Sequence, residues 1–269
     1  MNHNAIYKAY AAVFCRKRFL KWNRMLFHMS LQGMGLLNYE SQNASGERHF
    51  LRSYLPTCKS PVVFDVGMNE GIYSEDVLAV APDATIFAFE PNPKTYQRAC
   101  ARMNEQANVT ITNAACGKTA GSMTLYDYEG SEGSGHASLH PGVIELIHHQ
   151  RSAQLDVDVV VLDGFADKHG INYIDLLKVD TEGHESQVLA GTKRLIAENR
   201  VGAVHFEFNE MNIVSRCFFK DFVDLLPGFR FYRMVRDGLA PMGDYILLWW
   251  ELFAFQNIVA LAPQTKFED

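Results

Sequence analysis

Val63-Phe64-Asp65-Val66-Gly67-Met68-Asn69-Glu70-Gly71 is the stretch on which the fold turns. An apolar run too short for a helix carries one acid, breaks into a loop with two glycines, and gives way at Ile72 to a helical stretch reaching Val80. Such a run is a strand covered on both faces. Glycines after it let the backbone pass close to a ligand, and the helix start offers unpaired N–H groups. A dinucleotide site would want G-x-G-x-x-G, and Asn69 with Glu70 breaks that spacing.

Outward from this loop, the next apolar run, Thr85 to Phe89, ends in Glu90-Pro91-Asn92-Pro93. Glu90 stands 23 positions after Gly67, where an acid at a strand end takes both hydroxyls of a ribose. The pair implies a nucleoside-bearing cofactor, and the D-x-G-x-N-x-G form points to S-adenosylmethionine. Asn92 caps a helix reaching Glu105, and Val109 to Ala115 is a third strand. Further along, Ile174 to Val179 and Val201 to Phe208 are core strands, with a helix from Glu185 to Glu198 between them. Phe222 to Leu226 lies in another helix, and Phe229 to Val235 with Tyr245 to Trp250 reads as a closing antiparallel pair. Short apolar runs alternating with helices predict an α/β fold around a mostly parallel sheet. Met123 to Tyr128 and Val157 to Leu162 bracket a Gly-, Ser- and His-rich stretch, an expected insertion at the mouth of the site.

Three carboxylates, Asp180, Glu182 and Glu185, fall within six positions at the carboxyl end of the fourth core strand. Crowded acids are costly unless they face solvent, a cation or a substrate, and ligands of open parallel sheets sit at that end. Glu185 and Glu182 also suit a helix start, where acids complement the dipole. The run His205-Phe206-Glu207-Phe208-Asn209 brings Glu207 and Asn209 to the same rim, with His205 read as a packed strand residue.

The combined motifs resemble the FkbM type of S-adenosylmethionine-dependent methyltransferase. The resemblance runs from Gly33 to Trp250: the Gly33-Met34-Gly35 to Ser45-Gly46-Glu47 lead-in, the glycine loop through Tyr73, Phe89 to Pro93, Leu177 to Glu185 with Val188-Leu189 and Gly191, and Phe206 to Asn209. Met68 stands where the family usually has Ala. The resemblance implies a Rossmann-like class I methyltransferase fold, a seven-stranded sheet ending in an antiparallel hairpin, and O-methylation of a hydroxyl on a sugar, glycan or secondary metabolite. Carried over by motif, Asp65, Gly67, Asn69, Gly71 and Tyr73 surround the methionine part of the cofactor and Glu90 holds its ribose. Ala114 and Ala115 pack near the adenine. Asp180, Glu182 and Glu207 are the catalytic candidates, with Asn209 and His136 toward the acceptor. Asp180, Glu207 and Asn209 are also hard oxygen donors that suit Mg²⁺, a metal that is possible here without being favoured. Two other readings stay open: a nucleoside-cofactor binding module without chemistry, and a nicotinamide-dependent oxidoreductase.

Composition narrows the partners. The 269 residues are 48% hydrophobic and 21% charged, with a net charge of −6, which excludes a collagen-like or disordered chain and argues against a nucleic-acid binder. Residues 1–39 hold Lys8, Arg16, Lys17, Arg18, Lys21 and Arg24 and no acid, so the remainder carries −12. Five cysteines without C-x-x-C pairing fit a reducing, cytoplasmic setting. The organisation expected is a helical extension over 1–55 and a methyltransferase domain over 56–269. Apolar Ile6, Tyr10, Val13, Phe14, Leu20 and Met25 recur at helical spacing. The arm is expected to pack beside the carboxyl-end rim rather than on a membrane. A small-molecule or glycan acceptor is expected, chosen by Gly130 to Gln150.

Overall fold

The computed structural model describes residues 3–39, 42–130 and 133–267. In chain order, α1 (His3–Phe14), α2 (Leu20–Gly33), α3 (Gln42–Ser45) and α4 (Glu47–Tyr54) precede β1 (Val62–Val66), α5 (Ile72–Val80), β2 (Thr85–Phe89), α6 (Pro93–Arg102) and β3 (Val109–Thr112). Then come β4 (Ala115–Cys116), β5 (Gly121–Tyr128), β6 (Ser152–Val160), α7 (Leu162–Lys168), β7 (Ile174–Val179), α8 (Glu185–Ala190), α9 (Lys193–Ala197) and β8 (Val201–Phe208). The chain closes with α10 (Met211–Ser215), α11 (Phe219–Leu225), β9 (Arg230–Val235), β10 (Gly238–Pro241), α12 (Leu247–Trp250) and β11 (Gln256–Leu261).

The main sheet runs β10-β9-β11-β8-β7-β1-β2-β3. Its five strands from β8 to β3 are parallel, and β11, β9 and β10 are antiparallel to their neighbours. This is the Rossmann-like arrangement expected, with the order reversing at β1/β7, where such sheets bind ligands. The strands are apolar on both sides because both faces are covered. Phe64, Leu177, Val204 and Phe206 enter one core and Val63, Leu176, Ala203 and Val259 the other.

That strict alternation has a second effect. Asp65 is paired in register with Lys178, and Lys178 with His205, so a row of polar side chains crosses the sheet on one face, with Glu207 two residues beyond His205. Burying such a row is costly unless its members satisfy one another, which locates the site before any ligand is considered.

Several elements differ from expectation. The main sheet has eight strands, not seven. Leu247–Trp250 is a short helix rather than a strand, and the antiparallel partners of β9 are β10 and β11. Both Tyr245–Trp250 and Gln256–Leu261 are short apolar runs that periodicity alone cannot rank; every residue of β11 is buried between two strands, whereas Leu247, Leu248 and Trp249 face solvent. The helix over Glu185–Glu198 is broken at Gly191, where an added Cβ would lie 2.1 Å from the Gly117 carbonyl oxygen. The third strand is split, and β4 joins β5 and β6 in a separate three-stranded sheet.

The largest correction concerns the arm. α4 buries Phe50, Leu51 and Tyr54 in the domain core, but α1 and α2 do not pack beside the rim: apart from Leu31, no described side chain of either helix is buried. The two helices hold to each other instead. Tyr10 donates to Asn23 Oδ1 at 2.6 Å, Asn23 Nδ2 donates to the Phe14 carbonyl at 3.1 Å, and Phe14 packs edge-on to Phe19. Among the described residues no helix is long and apolar enough to cross a membrane.

Candidate active site

The glycine loop needs its glycines for different reasons. Gly67 has φ +80°, and a Cβ there would lie 1.8 Å from the Asp180 carbonyl oxygen, so only hydrogen lets β1 and β7 close at the switch point. Gly71, at φ +88°, is the N-cap of α5. Between them Asn69 adopts φ +51° and donates its N–H to Glu90 Oε2 at 3.0 Å. The Asn92 N–H donates to the other oxygen at 2.8 Å. Glu90 is thereby fixed at the end of β2, only 6% exposed, and burial pushes its pKa up to about 7 against those two N–H donors.

Two compartments meet at Gly67. One is an apolar slot lined by Val66, Phe89, Pro91, Ala114, Ala115 and Leu125, with His184 at its edge. The other, about 210 Å³, is lined by Glu47, Asp65, Asn69, Tyr73, Lys178, Asp180 and Glu207. Of the residues assigned from sequence to the cofactor, Asp65, Gly67, Asn69 and Tyr73 line the polar cleft and Ala114 and Ala115 the slot. Gly71 and Glu90 line neither; Gly71 shapes the loop as a cap, and Glu90 lies under it.

The polar row supplies the electrostatics. Lys178, 3% exposed, places Nζ 2.9 Å from Asp180 Oδ2 and over the Tyr73 ring. Burial works against its charge, but Asp180, Glu207 and Glu47 outweigh that and hold its pKa above the ordinary value. Glu207 is pushed well up by burial and by Asp180, and Glu47 is raised by burial despite Lys178. Asp65 accepts from Ser74 Oγ at 2.6 Å, and burial lifts its pKa to about 6. His205 is fully buried and confirmed as a packed strand residue. Burial and Lys178 hold it neutral, with Tyr73 Oη 3.1 Å from Nδ1 and Asn257 Oδ1 2.9 Å from Nε2.

Glu182 and Glu185 part company with Asp180. Glu185 folds the loop: one of its oxygens accepts from the Thr181 N–H, the Thr181 hydroxyl and the Gly183 N–H. Glu182, at φ +52°, is outside the polar cleft and faces the insertion, where His136 Nδ1 lies 3.3 Å from Oε1 and Ser138 Oγ donates to its backbone carbonyl. Burial raises the Glu182 carboxyl, and the hydrogen bond to Glu182 raises His136. The insertion therefore does lie against the carboxyl-end rim. It is tied down a second time through Asp127, which accepts from Asn92 Nδ2, the Ser134 N–H and the Ser134 hydroxyl.

Asn209 is placed differently from expectation. It is 5% exposed, its Oδ1 accepts from the Met211 N–H, and its Nδ2 lies 3.4 Å from Glu207 Oε2, so its side chain steers Glu207 and starts α10. The same contacts bear on Mg²⁺. Asn209 Oδ1 is engaged, Asp180 Oδ2 already carries the Lys178 ammonium, and among the described residues no group of three His, Cys, Asp or Glu is placed to hold a metal. The donor set does not fit a divalent cation.

Sequence reasoning passed over Lys178 and Glu47 as site residues. Lys178 was detectable as a lone charge inside a buried strand, a position almost never filled by an unpaired lysine. Glu47 reaches the cleft only because the lead-in docks on β9: a Cβ on Gly46 would lie 2.3 Å from the Val235 carbonyl oxygen.

The fit to S-adenosylmethionine rests on this donor set: a narrow apolar slot for a purine, a buried carboxylate beneath the loop for a ribose, and a charged cleft beside it for an amino-acid zwitterion. The chain is similar to several known proteins. Residues 65–233 match the sequence profile of the methyltransferase FkbM domain. The chain is 26% identical over 198 residues to the 2-O-methyltransferase NoeI of Sinorhizobium fredii, covering 70% of this chain and 79% of that protein. It is 28% identical over 150 residues to the hexuronic acid methyltransferase AglP of Haloferax volcanii, covering 54% of this chain and 56% of that protein. Among solved structures, a precorrin-6y C5,15-methyltransferase from Geobacter metallireducens aligns over 80% of this chain and 87% of its own, at 12% identity and a TM-score of 0.44. With the profile spanning most of the chain and both motif-bearing strand ends inside it, the protein belongs to the FkbM methyltransferase family.

Proposed function

We propose that the protein is an S-adenosylmethionine-dependent O-methyltransferase acting on a hydroxyl of a sugar or glycan. The observation that carries this is the cleft at the β1/β7 switch point, in which one buried ammonium, Lys178, sits among the carboxyl groups of Glu47, Asp65, Asp180 and Glu207. A cleft so rich in acceptors suits a polyhydroxylated ligand. The sugar class is supported by the likeness to the hexuronic acid methyltransferase AglP, and O-transfer by the likeness to the 2-O-methyltransferase NoeI.

The bound cofactor supplies an electrophilic methyl group, so the protein has to align a hydroxyl with it and take up a proton. Alignment does most of the work. Asp65, Asn69 and Tyr73 hold the methionine end, Glu90 the ribose, and Ala114 and Ala115 the base. Asp180, one-third exposed and steadied by Lys178, accepts the hydrogen bond that orients the acceptor hydroxyl. Glu207 takes the proton, since burial and the neighbouring Asp180 raise its basicity toward what an alcohol requires. Glu182 and His136 form the wall on the insertion side.

Transfer of a labelled methyl group to a panel of neutral and acidic sugars tests the reading. Glu207→Gln should lower turnover by about 100-fold or more with cofactor affinity within a few-fold, while Asp180→Asn should act on turnover and on acceptor KM together. Cofactor binding without transfer to any hydroxylated acceptor would point to a binding module instead.

A further inference from the structure

As far as Met29 the arm breaks the burial rule. Trp22 and Phe27 are 62% and 61% exposed, and Tyr10, Met25, Leu26 and Met29 also face solvent. On α2, Trp22, Met25, Leu26 and Met29 fall on one stripe and Lys21, Arg24 and His28 on another. The six basic residues are all exposed, and none pairs with an acid among the described residues. A chain with −12 elsewhere thus leaves these positive charges unpaired with any described carboxylate.

A second exposed apolar group lies at the root of the arm. Gly33 and Met34 share a cleft with Trp249, and on α12 Leu247 and Leu248 are 70% and 68% exposed. The arm is rooted at the carboxyl-end rim: Leu36 bridges to Gln256, which is paired with Phe208 at the end of β8.

We infer that the helical hairpin α1–α2, with the exposed face of α12, is a docking surface for an anionic lipid bilayer. Charge complementarity selects this occupant. Aromatic and aliphatic side chains beside unpaired Lys and Arg are the composition of a helix lying in the headgroup region. A symmetrical contact between two arms would instead face six positive charges with six more. At about 1.5 Å per residue the two helices extend only about 18 and 21 Å, short of a ~30 Å hydrocarbon core, so the arm lies on the membrane and does not cross it. Lipid contact would hold the mouth of the site close to the headgroups. This inference does not depend on the acceptor proposed above.

Co-sedimentation with vesicles decides it. The intact protein should pellet with phosphatidylcholine–phosphatidylserine vesicles and bind pure phosphatidylcholine roughly tenfold or more weakly, because each basic residue near an anionic surface contributes separately. W22S/F27S and K17E/K21E should each lose roughly tenfold or more of binding to the mixed vesicles. All four positions are exposed, so unchanged unfolding midpoints should accompany the loss. Binding to neither vesicle, or binding that both double variants retain, overturns the inference. So does a lipid-free dimer, seen by sedimentation equilibrium, that W22S/F27S dissociates, since the occupant would then be a second copy.

Discussion

The carboxyl-end cleft and the amino-terminal arm are opposites built from the same departure. In the cleft, charged groups are buried: Lys178 at 3% exposure holds together acids from α4, β1, β8 and the loop after β7. On the arm, apolar groups are exposed and the charges beside them pair with no acid among the described residues. Burial of charge is tolerated in the first because every member has a partner, and the reward is a set of carboxyl groups with altered basicity. Exposure of apolar surface in the second is offset by no contact with the domain among the described residues. One region is internally complete and chemically specialised, and the other is complete only with something outside the molecule.

The sharpest way to break this contrast is to remove the centre of the cleft. Lys178→Met should destabilise the fold by about 3–5 kcal/mol in denaturant unfolding, because it leaves buried carboxylates without their counter-charge. Reversing an arm charge such as Lys21 should leave the unfolding midpoint in place. Equal effects at the two sites would show that the lysine is not the organising charge.

A medium effect is expected at Glu90. Burial raises its pKa to about 7 from an ordinary 4.5, so the folded protein binds its proton more tightly than the unfolded chain. This carboxyl therefore favours folding at low pH, a contribution lost as pH rises from its ordinary value through about 7. Ribose hydroxyls need the ionised form as acceptor. S-adenosylmethionine affinity should accordingly rise about tenfold between pH 6 and pH 8 by calorimetry, the ratio of ionised fractions for a group titrating near 7. Glu90→Gln should flatten that rise; a pH profile unchanged in the variant would remove Glu90 from the ribose.

The smallest effect sharpens the arm. Gly33, the last residue of α2, has open space where a Cβ would stand and no positive φ. Gly33→Ala should raise the thermal midpoint slightly, by about 0.5–1 kcal/mol of helix propensity at most, without altering methyl transfer. A fall in stability would mean that α2 moves against the cleft shared with Trp249.

Sequence alone determined the five parallel strands and the glycine loop. Strands β2, β7 and β8 have the limits predicted because a strand covered on both faces must be continuously apolar, and a polar residue such as Glu90 after it ends the run without ambiguity. Motif spacing likewise brought Asp65, Asn69, Asp180 and Glu207 to one end of the sheet. Tertiary structure alone decided which apolar run enters the sheet beside β8, since Gln256–Leu261 and Tyr245–Trp250 differ only in what surrounds them. It also decided that Glu185 serves the loop and Asn209 the turn, that Glu47 reaches the cleft from a distant helix, and that α1 and α2 stay largely exposed among the described residues. Local periodicity reports how a residue alternates between inside and outside. Which outside becomes a neighbour's inside depends on contacts between segments far apart in the chain, and a single strand or helix carries no record of them.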